Sequence, residues 1–151
     1  MIVGIVGSEE AKFTTLGRDR ANSIIVELLS APGITEVVSG KCHLGGIDIW
    51  AAQIGELLGL KVTEFAPKTH SWEGGYRPRN IQIAQHSDIV HCITVDSLPE
   101  GFKGMRFPYC YHCAAGDQLL GQDHVKSGGC WTMHKAVDLG KEGHLHIVRN
   151  Y

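Results

Sequence analysis

Short β-branched runs alternate with segments of helical period along most of this chain, and the joins are short and rich in glycine. Ile2 to Val6 is a β-branched run that ends at Gly7-Ser8. Ala21, Ile24, Ile25, Leu28 and Leu29 then recur at helical spacing within residues 16–29, and Ala31-Pro32-Gly33 stops that helix. Thr35 to Val38 reads as a second strand. A helix over residues 47–58 sets Ile47, Ala51, Ile54, Leu57 and Leu58 on one face, with Gly59 as its stop. Lys61 to Phe65 alternates as a third strand, and a helix over residues 78–86 starts at Pro78. Residues 88–95, D-I-V-H-C-I-T-V, read as a fully buried strand. A helix over residues 130–139 and a strand over 144–148 close the chain. This order predicts an α/β fold, a doubly wound, mainly parallel sheet of about five strands with helices on both faces.

Such sheets bind ligands at the carboxyl ends of their strands. The four loops at that edge are residues 7–10, 39–48, 66–80 and 96–131, and they hold most of the unusual residues of the chain. The 151 residues suit one domain, residues 1–151, with an irregular insertion near 97–125. Net charge is −2, so no bulk basic field recruits nucleic acid. No apolar run reaches the ~20 residues of a membrane span. The N-terminus lacks the basic region of a signal peptide, so a cytoplasmic protein without a membrane partner is expected. Five cysteines in a reducing compartment read as core thiols, metal ligands or reactive groups rather than disulfides.

Three stretches offer a site. The first, S-G-K-C-H-L-G-G-I-D, contains Gly40, Lys41, Gly45, Gly46 and Asp48. It matches neither common phosphate fingerprint, and it fits a tight structural turn as well as an anion cradle. Asp48 can complement the helix dipole or hold a ribose hydroxyl. The second, T-H-S-W-E-G-G-Y-R-P-R-N, offers Arg77 and Arg79 for phosphate, Trp72 and Tyr76 for a base, and Asn80 at a helix start. The third, K-S-G-G-C-W-T, offers Lys126, Ser127, Gly128, Gly129 and Thr132 as a second anion cradle or an ordinary capped helix start. Gly7 and Ser8 complete the edge. Cys110-x2-Cys113 with His124 and Cys130 could supply a structural zinc, or stand as reduced thiols in an irregular loop. No other cofactor is indicated.

The order G-x-x-x-x-G-G-x-D, F-A-P…W…Y-R-P-R-N, S-D-I-V and S-G-G-x-W-T resembles the SLOG superfamily, which includes the Lonely Guy enzymes, the DNA-processing Smf proteins and small SLOG proteins of the DUF2493-like branch. The resemblance spans nearly the whole chain except residues 102–122, and it implies a Rossmann-like fold. It also implies a nucleotide-like ligand held by Gly45, Gly46, Asp48, Arg79, Asn80, Ser127, Gly128, Gly129 and Thr132, and a homo-oligomer. Lonely Guy enzymes cleave nucleoside monophosphates with a glutamate whose place is taken here by Lys135. The first expectation is therefore a nucleotide-binding sensor or sequestering protein. A second is an N-glycosidic-bond hydrolase with Asp48 or Glu73 as the carboxylate and Arg79 beside it. A third, disfavoured by the net charge, is a nucleic-acid-binding module using the Lys/Arg loops.

Overall fold

The structure, a computed structural model, describes residues 1–114, 116 and 118–151. Five strands, β1 (Ile2–Gly7), β2 (Glu36–Gly40), β3 (Lys61–Phe65), β4 (Ile89–Val95) and β5 (Glu142–Val148), form one sheet in the order β3-β2-β1-β4-β5. All four pairings are parallel. The chain winds outward from β1 to β3, crosses back, and continues from β4 to β5. The topological switch therefore lies between β1 and β4, where a ligand crevice is expected.

Helices α1 (Thr15–Leu29) and α2 (Ile47–Leu57) cover one face, and α3 (Arg77–His86) and α5 (Gly128–Asp138) the other. Strand alternation divides the core accordingly. Val3, Ile5, Val37 and Ile93 pack with Ala21, Ile25, Leu29 and Ala51. Val6, Val38, Val90 and Cys92 pack with Ile83, Ala84, Cys130 and Ala136. Helix α1 starts where Thr14 Oγ1 accepts from the Gly17 N–H at 3.0 Å, and its apolar spacing buries one stripe.

Element boundaries differ from the sequence expectation by one or two residues in most cases, as fraying ends do. Two differences are larger. Leu57 and Leu58, expected on the buried face of α2, are 86% and 43% exposed. The helix rests on the sheet through Ile47, Trp50, Ala51 and Gly55, and a Cβ at Gly55 would come within 2.5 Å of Val37; its last turn overhangs. The insertion is also not wholly irregular: α4 (Tyr111–Ala114) makes one helical turn there. Among the described residues, no helix is long and apolar enough to cross a membrane.

Candidate functional site

The end of β1 sets the geometry. A Cβ on Gly7 would overlap the Ile93 carbonyl, so only glycine lets β1 close against β4 here. Ser8 follows, buried, with its hydroxyl 2.8 Å from Thr94 Oγ1, which in turn donates to the Val125 carbonyl. The first turn of α5 packs on this corner: a Cβ on Gly129 would stand 2.8 Å from the Gly7 nitrogen. Ser127 caps α5 by accepting from the Gly129 N–H at 3.1 Å. The positive end of that helix thus faces the switch point.

Asp48 and Arg79 meet behind the end of β2. A Cβ on Gly40 would strike the Arg79 guanidinium and lie 2.6 Å from Asp48 Oδ2. Both side chains are buried, and Asp48 Oδ1 has no hydrogen-bond partner. Burial pushes the Asp48 carboxyl up to about 7, against the opposing pull of the Arg79 guanidinium and the Gly7 and Gly40 N–H groups. Arg79 Nε donates to Asn80 Oδ1 at 2.8 Å and Nη1 to the Phe65 carbonyl at 3.3 Å, while its guanidinium carbon lies 5.5 Å from the Tyr76 ring centre. Among the described residues, Arg79 forms no ion pair with a carboxylate. A buried cation held by neutral acceptors keeps its charge available to an anion.

These groups line a cavity of about 620 Å³, within the range of small-molecule sites. It gathers twelve of the expected residues: Gly7, Ser8, Asp48, Trp72, Tyr76, Arg79, Asn80, Lys126, Ser127, Gly128, Gly129 and Thr132. Gly40 stands behind the wall, against Asp48 and Arg79. Lys41 and Arg77 point to solvent, and Glu73 is exposed on the Trp72–Tyr76 π-turn away from the lining. Gly45 and Gly46 also lie outside the lining. Gly46 instead adopts φ +90°, and a Cβ there would strike the Ser8 carbonyl and stand 2.6 Å from the Glu10 nitrogen. That turn packs against the β1 loop.

Several lining residues were not anticipated. Trp131 meets Trp72 edge-on, with ring centres 5.0 Å apart. Trp131 lay within a stretch already singled out. Lys12 donates to the Lys126 carbonyl at 2.9 Å, and burial lowers its pKa, which Glu9 opposes. Nothing local in E-E-A-K announces that long-range contact. Tyr111 and His112 line the cavity from between Cys110 and Cys113, which was the one available signal.

Beside the cavity, the ligand atoms of Cys110, Cys113, His124 and Cys130 all lie within 4.8 Å of one another, a cluster that could hold a metal ion. A tetrahedral zinc with Zn–S bonds of about 2.3 Å separates its ligand atoms by roughly 3.5–3.8 Å. Cys130 Sγ stands 3.8 Å from His124 Nε2. His124 Nδ1 contacts Asp123 Oδ1 at 2.6 Å, the outer partner that orients a metal-binding imidazole and leaves Nε2 for the ion. Hydrogen bonds from the Cys113 and Cys130 thiols push the Cys110 thiol down from its usual range.

Comparisons with protein-family models, curated proteins and solved structures return no match for this chain.

Proposed function

We propose that the cavity binds a nucleotide or nucleotide-derived small molecule, as a sensor or sequestering protein would, and that the adjacent Cys3His cluster holds a structural zinc. One observation carries the reading: the buried side chains of Asp48 and Arg79 line one cavity with the first turn of α5, at the switch point of a parallel sheet, and among the described residues they form no ion pair with each other. Charged groups kept at a cavity wall without an ion-pair partner suit a ligand that carries its own charge and hydrogen-bonding groups. In this reading the phosphate sits on Ser127, Gly128 and Gly129 at the α5 N-terminus, within reach of Lys126 and Arg79. Asp48 takes a ribose hydroxyl, and Trp72, Tyr76 and Trp131 flank the base. The resemblance to SLOG proteins supports the same ligand class.

Titration calorimetry with nucleoside 5′-monophosphates tests the reading, with Arg79→Ala as the control. The variant is expected to lose roughly 10- to 100-fold in affinity, as expected for loss of a charge-assisted contact. Absence of binding by the zinc-loaded wild type overturns the reading. Elemental analysis is expected to find one zinc per chain.

A second reading, N-glycosidic-bond hydrolysis, draws on one observation. Asp48, near 7, can exchange a proton at neutral pH. Release of free base from a nucleoside monophosphate, read by chromatography and abolished in Asp48→Asn, is its signature.

A further inference from the structure

The four side chains of the Cys3His cluster are each within two residues of the cavity wall. Cys110 and Cys113 bracket Tyr111 and His112, Cys130 follows Gly129, and His124 precedes Lys126 by two positions. The segment that carries Tyr111 and His112 has little to hold its shape. Helix α4 is one turn of four residues, far below the length at which a helix is stable alone. Its anchors are the Cys110 N–H donating to the Gly121 carbonyl at 2.8 Å, the buried Cys110 side chain beside Cys130 of α5, and the Cys113 thiol 3.3 Å from His134 Nε2 of α5. The wall is also tied inward. The Lys126 ammonium lies 5.5 Å from the Tyr111 ring centre and 5.1 Å from that of Phe107, and Lys12 holds the Lys126 carbonyl.

We propose that Tyr111 and His112 are ligand-contacting, specificity-determining residues of the cavity, presented by the metal-held turn between Cys110 and Cys113, so that metal loading and ligand binding are positively linked. This rests on the reading of the cavity as a nucleotide site. The Tyr111 and His112 rings lie 4.4 Å apart at their centres, and Tyr111 is 47% exposed. They offer a planar heterocycle an aromatic surface, and they offer its edge a hydroxyl and a ring nitrogen. Without the ion, the one-turn helix is tied to α5 only by the Cys113–His134 contact and the packing of Cys110 on Cys130, and the wall is held less firmly against Gly128 and Lys126. The coupling is reciprocal, so the nucleotide must tighten the metal by the same factor.

The experiment titrates AMP and GMP by calorimetry into three samples: zinc-loaded wild type, wild type stripped by chelation under reducing conditions, and the zinc-loaded Tyr111→Ala/His112→Ala double variant. The expected result is at least tenfold weaker binding to the stripped protein. The double variant is expected to retain one zinc and the wild-type melting temperature, yet bind no better than stripped protein. Tyr111→Phe is expected to restore most of the affinity at that position when His112 is intact. Equal affinity in the loaded and stripped wild type overturns the linkage, and wild-type affinity in the double variant overturns the contact role. If stripping unfolds the chain, the zinc-loaded double variant still decides the contact role, and the zinc affinity of wild type with and without saturating AMP decides the linkage, an unchanged affinity overturning it. Binding that ignores both zinc and the double substitution sinks this inference while leaving the nucleotide reading intact. Absence of binding by the loaded wild type sinks both.

Discussion

Two glycine-rich turns lead into helices at the ligand edge of this sheet, and they do different work. Residues 39–48 and residues 126–132 each carry a Gly-Gly pair, a lysine and a hydroxyl or carboxylate at a helix start. In the second, Ser127, Gly128 and Gly129 line the cavity, with Ser127 as the extended cap that takes the Gly129 N–H and the two glycines in the first turn of α5. In the first, Gly45 and Gly46 adopt φ +71° and +90°, and the pair turns away to brace the loop after β1. What that stretch contributes to the cavity is Asp48, in the first turn of α2, with Cys42 and Leu44. A glycine pair in helical conformation leaves backbone at the cavity wall. The same pair with positive φ makes room for another part of the protein.

The sharpest way to break this contrast is Gly46→Ala. A side chain at φ +90° and ψ −147° lies in a region that is nearly exclusive to glycine, and the new Cβ would collide with the Ser8 carbonyl. Strain and overlap together are expected to cost on the order of 3–5 kcal/mol. Chemical denaturation should show that loss, while any folded fraction keeps normal nucleotide affinity. A variant as stable as wild type but deficient in binding would return Gly46 to the ligand site.

Asp48→Asn probes the one group through which the first turn reaches the cavity. The folded carboxyl, near 7, lies above the unfolded value of about 3.9. The native state therefore binds more protons than the unfolded state between these values, and stability falls as pH rises through that window. Above pH 7 the buried carboxylate destabilises the protein fully. Asparagine removes the charge, with a gain on the order of 2 kcal/mol at pH 8, or roughly 4–8 °C in melting temperature, and a much smaller gain at pH 4. Ligand affinity is expected to fall in the same variant. A stability gain with a binding loss marks a carboxylate kept for function, whereas loss of both would make it a structural group.

The contrast also explains what the sequence could and could not reveal. Parallel strands and helix faces follow from local periodicity, and β1, β3 and β4 lie within a residue of expectation. Strand ends define the ligand edge, so Arg79, Asn80, Ser127 and Thr132 could be placed at it without knowing the fold in detail. The conformation of each glycine is decided by what packs against it, and nothing in L-G-G-I-D separates a cradle from a brace. The overhanging Leu57 and Leu58 failed for a related reason: helical spacing identifies a face, but not how far the sheet extends beneath it. Lys12 enters through a contact 114 residues away in sequence. The cysteine spacing suggested the metal cluster, whereas its nearness to the cavity depends on how the turn Tyr111–Ala114 packs onto α5.

Gly128→Ala sharpens the other side of the comparison with the smallest effect on the fold. A Cβ at Gly128 would meet nothing within 4 Å, and the residue lies in the first turn of α5 with no positive φ to forbid a side chain. Alanine is the better helix former, by up to about 1 kcal/mol in a helix interior and less at this end position, so thermal stability is expected to hold or rise slightly. The position borders the cavity, however, and a methyl group there separates an anion from the N–H groups of the turn. Calorimetry with a nucleoside monophosphate is expected to show roughly tenfold weaker binding, or about 1.4 kcal/mol. Unchanged affinity would mean that the anion does not sit on the α5 turn. The two glycine-rich turns would then share a structural role, and Asp48 and Arg79 would carry the recognition alone.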